Sequence, residues 1–325
     1  GLPRYEVVDG IHVHRVRSWR KKLEMCTTLE MMTYVLPALC KAWRLHRRHR
    51  FDINHTHFII PSGLVSMKLK WLTGLPYIIT SHGSDVPGFN TDRFQLIHRF
   101  TRPLLRMISN RARLIVSPSN YLAGLIKKNI RPKTPVKVIP NGIDIHDFKP
   151  AAKKRKIIFS SGRVLPRKGF QHLIQAVKDE DLGWEVHIAG DGPYFDEIQQ
   201  LAKGSKTRIV LHGWMKKDEV RRLIAKAGIF VLASEKENAS ISLLEALSSG
   251  CATITTDVSG CPETVGDVGE LISFGDVEGL KKALKRLIKN HASRQRASRK
   301  RAVEVFDNTR IIDTYLEVLH SEVRK

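Results

Sequence analysis

Short segments rich in isoleucine and valine alternate with amphipathic helical patterns along the whole chain. Segments of this kind are typical of parallel strands that are covered on both faces of a sheet. Strand and helix in alternation predict an α/β architecture with right-handed crossovers. The predicted strands are 12–16, 53–56, 77–81, 114–117, 136–139, 156–161, 185–189, 209–211, 229–233 and 252–255, and the predicted helices include 170–177, 194–202, 217–227 and 243–248.

A division into two domains is predicted near residues 140–152. Asn141 and Gly142 form a dipeptide that favours a tight turn, and residues 149–154 have the composition of an exposed linker. We therefore expect a first domain at 1–148, a second at 149–308, and a C-terminal helix at 309–325 that packs back on the first domain. Two doubly wound domains leave an interdomain cleft between the carboxyl ends of their sheets, where open α/β sheets bind ligands.

The charge of the chain is unusual for an otherwise ordinary globular composition. Its 55 basic and 32 acidic residues give a formal net charge of +23, with dense basic stretches at 44–50 and 281–301. Such a field attracts nucleotide diphosphates, anionic lipid surfaces or nucleic acid. Solvated helix faces would explain each cluster equally well, so charge alone leaves these alternatives open.

Four cysteines, Cys26, Cys40, Cys251 and Cys261, form no CxxC pair and match no zinc spacing. They are typical of reduced, partly buried thiols in a cytosolic protein. The most apolar stretch, 33–40, is far shorter than the ~20 residues that a membrane-spanning helix needs. Any membrane contact is therefore predicted to be peripheral.

Two glutamates lie eight residues apart in the segment that follows the predicted strand 229–233. Glu237 falls in the loop after that strand, and Glu245 falls about two turns further on, within the helix that Asn238 and Ser240 can cap. One carboxylate can accept hydrogen bonds from both ribose hydroxyls, and the other can bind a hexose one diphosphate away. The spacing alone equally fits a surface glutamate beside a helix-face glutamate.

Two cations and several glycines follow the strands that precede this segment. Arg163 and Lys168 lie between the strand 156–161 and the next helix, where free backbone N–H groups would add to a diphosphate site. Gly190 and Gly192 allow backbone to approach a ligand closely, although an ordinary strand-to-helix turn would also use them.

Six segments, in this order along the chain, resemble motifs of the family 4 retaining glycosyltransferases, which have the GT-B fold of two Rossmann-like domains. They are Ser81-His82-Gly83-Ser84-Asp85, Pro140-Asn141-Gly142-Ile143-Asp144, the "GR-x-x-x-x-KG" segment 161–169, Ala189-Gly190-Asp191-Gly192-Pro193, His212-Gly213-Trp214, and the Glu-x7-Glu pattern of Glu237 and Glu245. The resemblance covers essentially the whole chain.

The resemblance implies a role for each matching residue. Glu237 and His82 would contact the transferred sugar, while Arg163 and Lys168 would neutralise the departing diphosphate in place of a metal. The resemblance therefore implies that the reaction needs no cofactor and no metal site. The remaining donor contacts would come from residues near the base, the ribose and the phosphates: Gly190, Gly213, Ser240, Ile241 and Glu245.

The same resemblance implies that a UDP- or GDP-sugar donates a hexose to a glycan or lipid-linked acceptor, with retention at the anomeric carbon, as in polysaccharide biosynthesis. Basic stretches at 44–50 and 99–113 fit a peripheral location on the inner, cytoplasmic face of the plasma membrane. No nucleic-acid partner is expected.

Two departures from the family pattern keep alternatives open. Asn238-Ala239-Ser240 stands where members often carry glycines, which puts the sugar preference in doubt. The chain also starts after the family's first strand, glycine-rich loop, helix and second strand, so we expect a fragment whose first domain is poorly stable or inactive. The alternatives are an inactive GT-B remnant, a sugar-nucleotide epimerase on the same fold, and a basic nucleic-acid-binding protein, although no helix-turn-helix, RNP or zinc pattern supports the last.

Overall fold

The computed structural model describes residues 2–19, 27–89 and 95–324. The chain divides into two compact units. The first unit contains the chain up to Pro118, Leu122–Val138, and the chain from Leu316 onward. The second unit contains Ser119–Tyr121 and Ile139–Tyr315.

The first unit is built on a parallel sheet with the strand order β3-β4-β5-β6. Its strands are β1 (Tyr5–Val8), β2 (Ile11–His14), β3 (Asn54–His57), β4 (Tyr77–Thr80), β5 (Leu114–Ser117) and β6 (Val136–Val138). The helices in this part of the chain are α1 (Thr28–Thr33), α2 (Val35–His49), α3 (Ser62–Thr73), α4 (Gln95–Arg111) and α5 (Asn120–Asn129). Tyr77, Ile78 and Ile79 of β4 are fully buried, as a strand covered on both faces requires.

The predicted strand 12–16 corresponds to β2, but this strand ends at His14 and lies outside the parallel sheet. Strands β1 and β2 form a separate antiparallel hairpin, in which Val8 pairs with Ile11. The two residues between them, Asp9 and Gly10, have φ angles of 50° and 81°. Asp-Gly favours this left-handed two-residue turn, so the signal for a hairpin was present in the sequence.

The second unit contains a parallel sheet of six strands with the order β12-β11-β10-β7-β8-β9. Its strands are β7 (Arg155–Ser161), β8 (Glu185–Ala189), β9 (Ile209–Leu211), β10 (Ala227–Leu232), β11 (Ala252–Thr256) and β12 (Glu270–Ile272). Its helices are α6 (Phe170–Val177), α7 (Phe195–Ala202), α8 (Lys217–Lys226), α9 (Ile241–Ser248), α10 (Cys261–Val265) and α11 (Val277–Val305), and α12 (Asn308–Val323) begins here. This is the doubly wound order, and the chain reverses its direction of winding between β7 and β10.

Neighbouring residues of the central strands pack into two different cores. Ile158 belongs to one hydrophobic cluster and Phe159 to the other, and the same alternation separates Ile229 from Phe230. Successive side chains point to opposite faces of a strand, so both faces of this sheet are covered. The predicted α/β architecture is confirmed.

The segment predicted as the division between domains packs within the second unit. Phe148 is 2% exposed in the cluster that contains Phe159, and Lys154 donates from Nζ to the Ser249 carbonyl at 2.6 Å. The long segment of the second compact unit begins at Ile139. The domain boundary between residues 148 and 149 remains a prediction. Strand β12 and helix α10 have no counterpart among the predicted elements.

Three of the four cysteines lie in the described part of the chain. Cys251 and Cys261 are buried free thiols, and Cys40 is an exposed one. Cys26 lies outside the described residues. None of the helices that the structure describes is long and apolar enough to span a membrane.

Candidate functional site

The loops after β7 and β10 lie side by side at the reversal of the second sheet. Gly169, with a φ angle of 72°, approaches the β10 loop so closely that an added Cβ would lie 1.9 Å from the Ala233 carbonyl oxygen. The Glu235 amide donates to the Arg167 carbonyl at 2.8 Å and joins the two loops. Ligands of doubly wound sheets bind at this kind of reversal, outside the carboxyl ends of the strands.

Lys168 and Glu237 form an ion pair across these two loops. The Lys168 ammonium donates to Oε1 of Glu237, and the two side chains are 23% and 14% exposed. Ser234 donates to the same oxygen at 3.1 Å. The contacts among the described residues leave Oε2 of Glu237 without a donor, so this oxygen can accept a hydrogen bond from a ligand. The structure thus brings together two residues that lie 69 positions apart.

Hydrogen bonds fix the backbone on both sides of Glu237. Its carbonyl accepts from the Gly260 amide at 3.0 Å, and an added Cβ on Gly260 would lie 1.7 Å from the Asn238 carbonyl oxygen. Ser119 donates to the Asn238 side chain at 2.6 Å, and Asn141 donates to the Ala239 carbonyl at 3.2 Å. Side chains therefore hold the loop where the family often has glycines. The sequence offered little signal for Ser119 or Gly260, because neither lies near the motif.

Glu245 lies on α9, one turn after the exposed Ile241 that begins this helix. Burial raises the pKa of Glu245 to about 7, and the positive charge of Lys217 opposes that rise only in part. Ser240 precedes the helix as its N-cap and shares a hydrogen bond of 3.0 Å with the Ser242 hydroxyl. A half-buried carboxyl group beside a helix start can bind hydroxyl donors while N–H groups bind an anion.

The loops after β8 and β9 extend the same edge of the sheet. Gly190 donates to the Gly213 carbonyl at 2.8 Å, and an added Cβ on Gly190 would lie 1.8 Å from the Gly162 carbonyl oxygen. Arg163 follows Gly162 and is exposed. The second unit therefore places all of the predicted donor residues in loops and at a helix start on one edge of one sheet.

His82, the remaining predicted catalytic residue, lies in the first unit, just after β4. Its Nε2 lies 2.9 Å from Nδ1 of His57, and the two rings stack with centroids 5.2 Å apart. His55 contacts the Thr80 hydroxyl at 2.8 Å, and burial lowers the pKa of His55 to about 4. Desolvation also lowers the pKa of His82. It lowers the pKa of His57 as well, although His57 as a whole residue is exposed.

The sequence interpretation missed His55 and His57. Both lie on β3, two residues apart, so they share one face of this strand. Their ring centroids are 4.7 Å apart. The His-x-His spacing was the available signal, but pairing of β3 with β4 was needed to bring it to His82.

Asp85 has a structural role in the loop after β4. Its buried carboxylate accepts from the Ser81 hydroxyl at 3.0 Å, the His82 and Gly83 amides at 3.2 and 3.0 Å, and the Ile59 amide at 2.8 Å. These bonds hold the segment that carries His82.

Within residues 2–19, 27–89 and 95–324, no group of three or more histidine, cysteine, aspartate or glutamate side chains could hold a metal ion. Metal independence nevertheless remains a prediction, because a donor diphosphate could itself supply metal ligands.

Two family models and several known proteins are similar to this chain. The family described as "Glycosyltransferase Family 4" matches residues 3–147, and "Glycosyl transferases group 1" matches residues 143–303. The N-acetyl-alpha-D-glucosaminyl L-malate synthase of Bacillus anthracis is 26% identical over 100% of this chain and 88% of that protein. A UDP-Gal:alpha-D-GlcNAc-diphosphoundecaprenol alpha-1,3-galactosyltransferase of Escherichia coli is 24% identical over 78% of this chain and 70% of that protein.

Among solved structures, Anabaena HepE in complex with UDP superposes with a TM-score of 0.75 at 20% identity, covering 88% of this chain and 82% of that chain. The chain therefore belongs to the family 4 glycosyltransferases and has the GT-B fold with two Rossmann-like domains. It is a hexosyltransferase-type enzyme that acts on nucleoside-diphosphate sugars.

Proposed function

We propose that this enzyme transfers a hexose from a UDP- or GDP-sugar to a glycan or lipid-linked acceptor, with retention at the anomeric carbon and without a metal. The observation that carries the proposal is the Lys168–Glu237 ion pair at the reversal of the second sheet. In this pair, a cation that would bind the diphosphate lies beside a carboxylate that would bind the sugar, at the kind of reversal where doubly wound sheets bind ligands.

The donor would extend along the carboxyl edge of that sheet. Arg163 and Lys168 would bind the diphosphate, together with backbone N–H groups of Ser240 and Ile241 at the start of α9. Glu245 would accept from the ribose hydroxyls, and the base would lie near Gly213. A ribose donating to Glu245 would stabilise the carboxylate, whose burial now raises its pKa to about 7.

In the proposed reaction, the acceptor hydroxyl oxygen forms the new bond to the anomeric carbon on the face from which the diphosphate oxygen leaves. The acceptor proton passes to the departing diphosphate, so the products are the glycoside and the nucleoside diphosphate. Lys168 and Arg163 would stabilise the negative charge that grows on the leaving oxygen. Glu237, through Oε2, and His82 would contact hydroxyls of the transferred sugar.

The acceptor is proposed to be a glycan or a lipid-linked glycan. The names of the two relatives include one small acceptor, L-malate, and one diphosphoundecaprenol-linked acceptor. Basic residues on α2 and α4 of the first unit favour the second kind, because they would attract an anionic membrane surface. We propose a peripheral location on the cytoplasmic face of the plasma membrane on the same grounds.

A donor screen tests this proposal. Thermal shifts would be measured with UDP-, GDP- and ADP-sugars, with and without EDTA, and the product's anomeric proton coupling would be read by NMR. We expect a UDP- or GDP-sugar to raise the Tm by the same amount in the presence and in the absence of EDTA. We also expect a donor with an axial anomeric bond to give a product with an axial anomeric bond. A product of inverted configuration, or activity abolished by EDTA, would refute the corresponding part of the proposal.

A further inference from the structure

A basic groove lies in the first unit, between the second half of α4 and the end of α5. Its cavity volume is 660 Å³, within the ~300–1,000 Å³ typical of small-molecule sites. Five cationic and three apolar side chains line it. The cations are Arg102, Arg106, Arg111, Lys128 and Arg131, and the apolar side chains are Pro103, Met107 and Ile130.

The positive charge of this basic groove is not balanced by nearby acids. No aspartate or glutamate is among its lining residues. None of the ion pairs within the described part of the chain includes any of the five cations. Five like charges that share a cavity repel one another, so an anion bound among them would relieve a repulsion that the fold leaves in place.

The walls of the groove are held together by the fold. Lys133 donates its amide to Oδ1 of Asn110 at 2.7 Å, and the Thr134 hydroxyl donates to the Ser109 carbonyl at 2.8 Å. Arg131 has a left-handed φ of 53° and donates from Nε to the Lys128 carbonyl at 3.4 Å. The groove is therefore a built feature rather than a row of independent surface side chains.

The groove lies at the opposite edge of its sheet from His82. Helix α4 leads into the start of β5, and α5 leads into the start of β6, so the groove lies at the amino ends of these parallel strands. His82 follows the carboxyl end of β4. Within the first unit, the groove is thus separate from the proposed catalytic edge.

We propose that the basic groove binds a phosphate-bearing anion, with the phosphate among the arginines and an apolar portion on Pro103 and Met107. Arginine suits this role because its planar fork binds phosphate oxygens in pairs. The cavity is larger than inorganic phosphate needs, which favours a phosphorylated organic molecule or a phospholipid headgroup. The proposal is independent of the donor site in the second unit.

Binding of two probes to the full chain tests the proposal. Inorganic pyrophosphate would be titrated by calorimetry, and vesicles of phosphatidylcholine, with and without phosphatidylglycerol, would be co-sedimented with the protein. The groove variant is Arg106→Gln/Arg131→Gln. The control, Lys203→Gln/Lys206→Gln, removes the same charge from exposed positions in the second unit.

We expect the groove variant to lose a bound equivalent of pyrophosphate, or to bind phosphatidylglycerol vesicles about tenfold more weakly or worse, while the control resembles the wild type. Loss of pyrophosphate alone would identify a small phosphorylated ligand, and loss of vesicle binding alone a lipid headgroup. Pyrophosphate bound at the donor site is counted as a separate equivalent. A failure of the groove proposal can therefore be distinguished from a failure of the proposed donor site.

Equal losses in both variants would mean that only net charge matters and would overturn the proposal, as would unchanged binding by the groove variant. The Tm of each variant would be compared with that of the wild type. If the Arg106→Gln/Arg131→Gln variant does not fold, the variant Arg102→Gln/Lys128→Gln takes its place. It removes two exposed cations from the same groove, and the same outcomes support or overturn the proposal.

Discussion

The two units present different chemistry at the carboxyl edges of their sheets. In the second unit the central contact is between full charges, Lys168 and Glu237. In the first unit it is between two imidazoles, His57 and His82, whose pKa values desolvation lowers. The carboxylate beside them, Asp85, is occupied by four hydrogen bonds. One edge therefore offers charge to a ligand, and the other offers neutral donors and acceptors.

This difference suits the two kinds of group in a sugar nucleotide. A diphosphate needs cations, and a buried cation needs an opposite charge such as Glu237 when the site is empty. Sugar hydroxyls are neutral and need donors and acceptors that remain neutral at physiological pH.

Lys168→Ala should lower kcat by about 10³-fold, because it removes a cation from the departing diphosphate. Glu237→Ala should cause a loss of similar order. The matched control is Arg167→Ala, an exposed cation in the same loop that should retain near wild-type turnover. Turnover by product release would be measured for all three, with circular dichroism as the test of folding. A kcat of Lys168→Ala close to that of the wild type would contradict the role proposed for this ion pair in the second unit.

Asp85→Ala should destabilise the first unit by about 3 kcal/mol, because the Ile59, His82 and Gly83 amides would lose their buried acceptor. Urea unfolding would measure the change. Asp85→Asn keeps one acceptor oxygen and should lose less. If Asp85→Ala had the stability of the wild type but lost activity, Asp85 would have a role in ligand binding and would not be needed to stabilise the loop.

Glu245→Gln should stabilise the free protein at high pH by roughly 2 kcal/mol while weakening nucleotide binding. The folded pKa is about 7 and exceeds the ordinary value of 4.5, so ionisation costs stability. That cost is absent below the unfolded pKa, grows between the two pKa values, and is complete above pH 7. The gain in Tm over wild type should therefore be present at high pH and vanish near the ordinary value. A gain that does not depend on pH would contradict the assignment.

His57→Asn should move the acid limb of the kcat/KM profile to higher pH and lower the plateau by only about threefold. Desolvation lowers the pKa of His82, and removing the neighbouring ring admits water that would raise it. Among the described residues, His55, His57 and Asp85 interact electrostatically with His82, and Asp85 already acts to raise the pKa of His82. A uniform loss with an unchanged profile would indicate a purely structural effect of His57.

Much of the fold could be predicted from short-range pattern. Strands β5 and β8 have the bounds that their isoleucine and valine residues predict, because a strand covered on both faces is rich in apolar residues. The hairpin at Asp9 and Gly10 was missed although its turn signal was present. Strand β12 and helix α10 were not predicted, although β9, which is as short as β12, was. Strand β9 is apolar at all three positions, whereas β12 begins at Glu270 and α10 contains Glu263.

The candidate site was predictable where a motif carries it and unpredictable where contacts come from elsewhere. Glu237, Lys168 and Gly190 were identified by their segments. Ser119 and Gly260 were not, because their importance comes from contacts with the Asn238 side chain and carbonyl. Such contacts depend on how loops meet, and no spacing along the chain records that.

By itself, the sequence determined the α/β class, the order of the motifs and the residue types of the donor loops, because these follow from periodicity and local turn chemistry. Only the tertiary structure decided that Lys168 pairs with Glu237, that burial raises the pKa of Glu245, and that His57 contacts His82. The physical reason is that strand order joins distant segments and excludes water from them. Distance and desolvation, which set the strength of each charge, exist only once the sheets have formed.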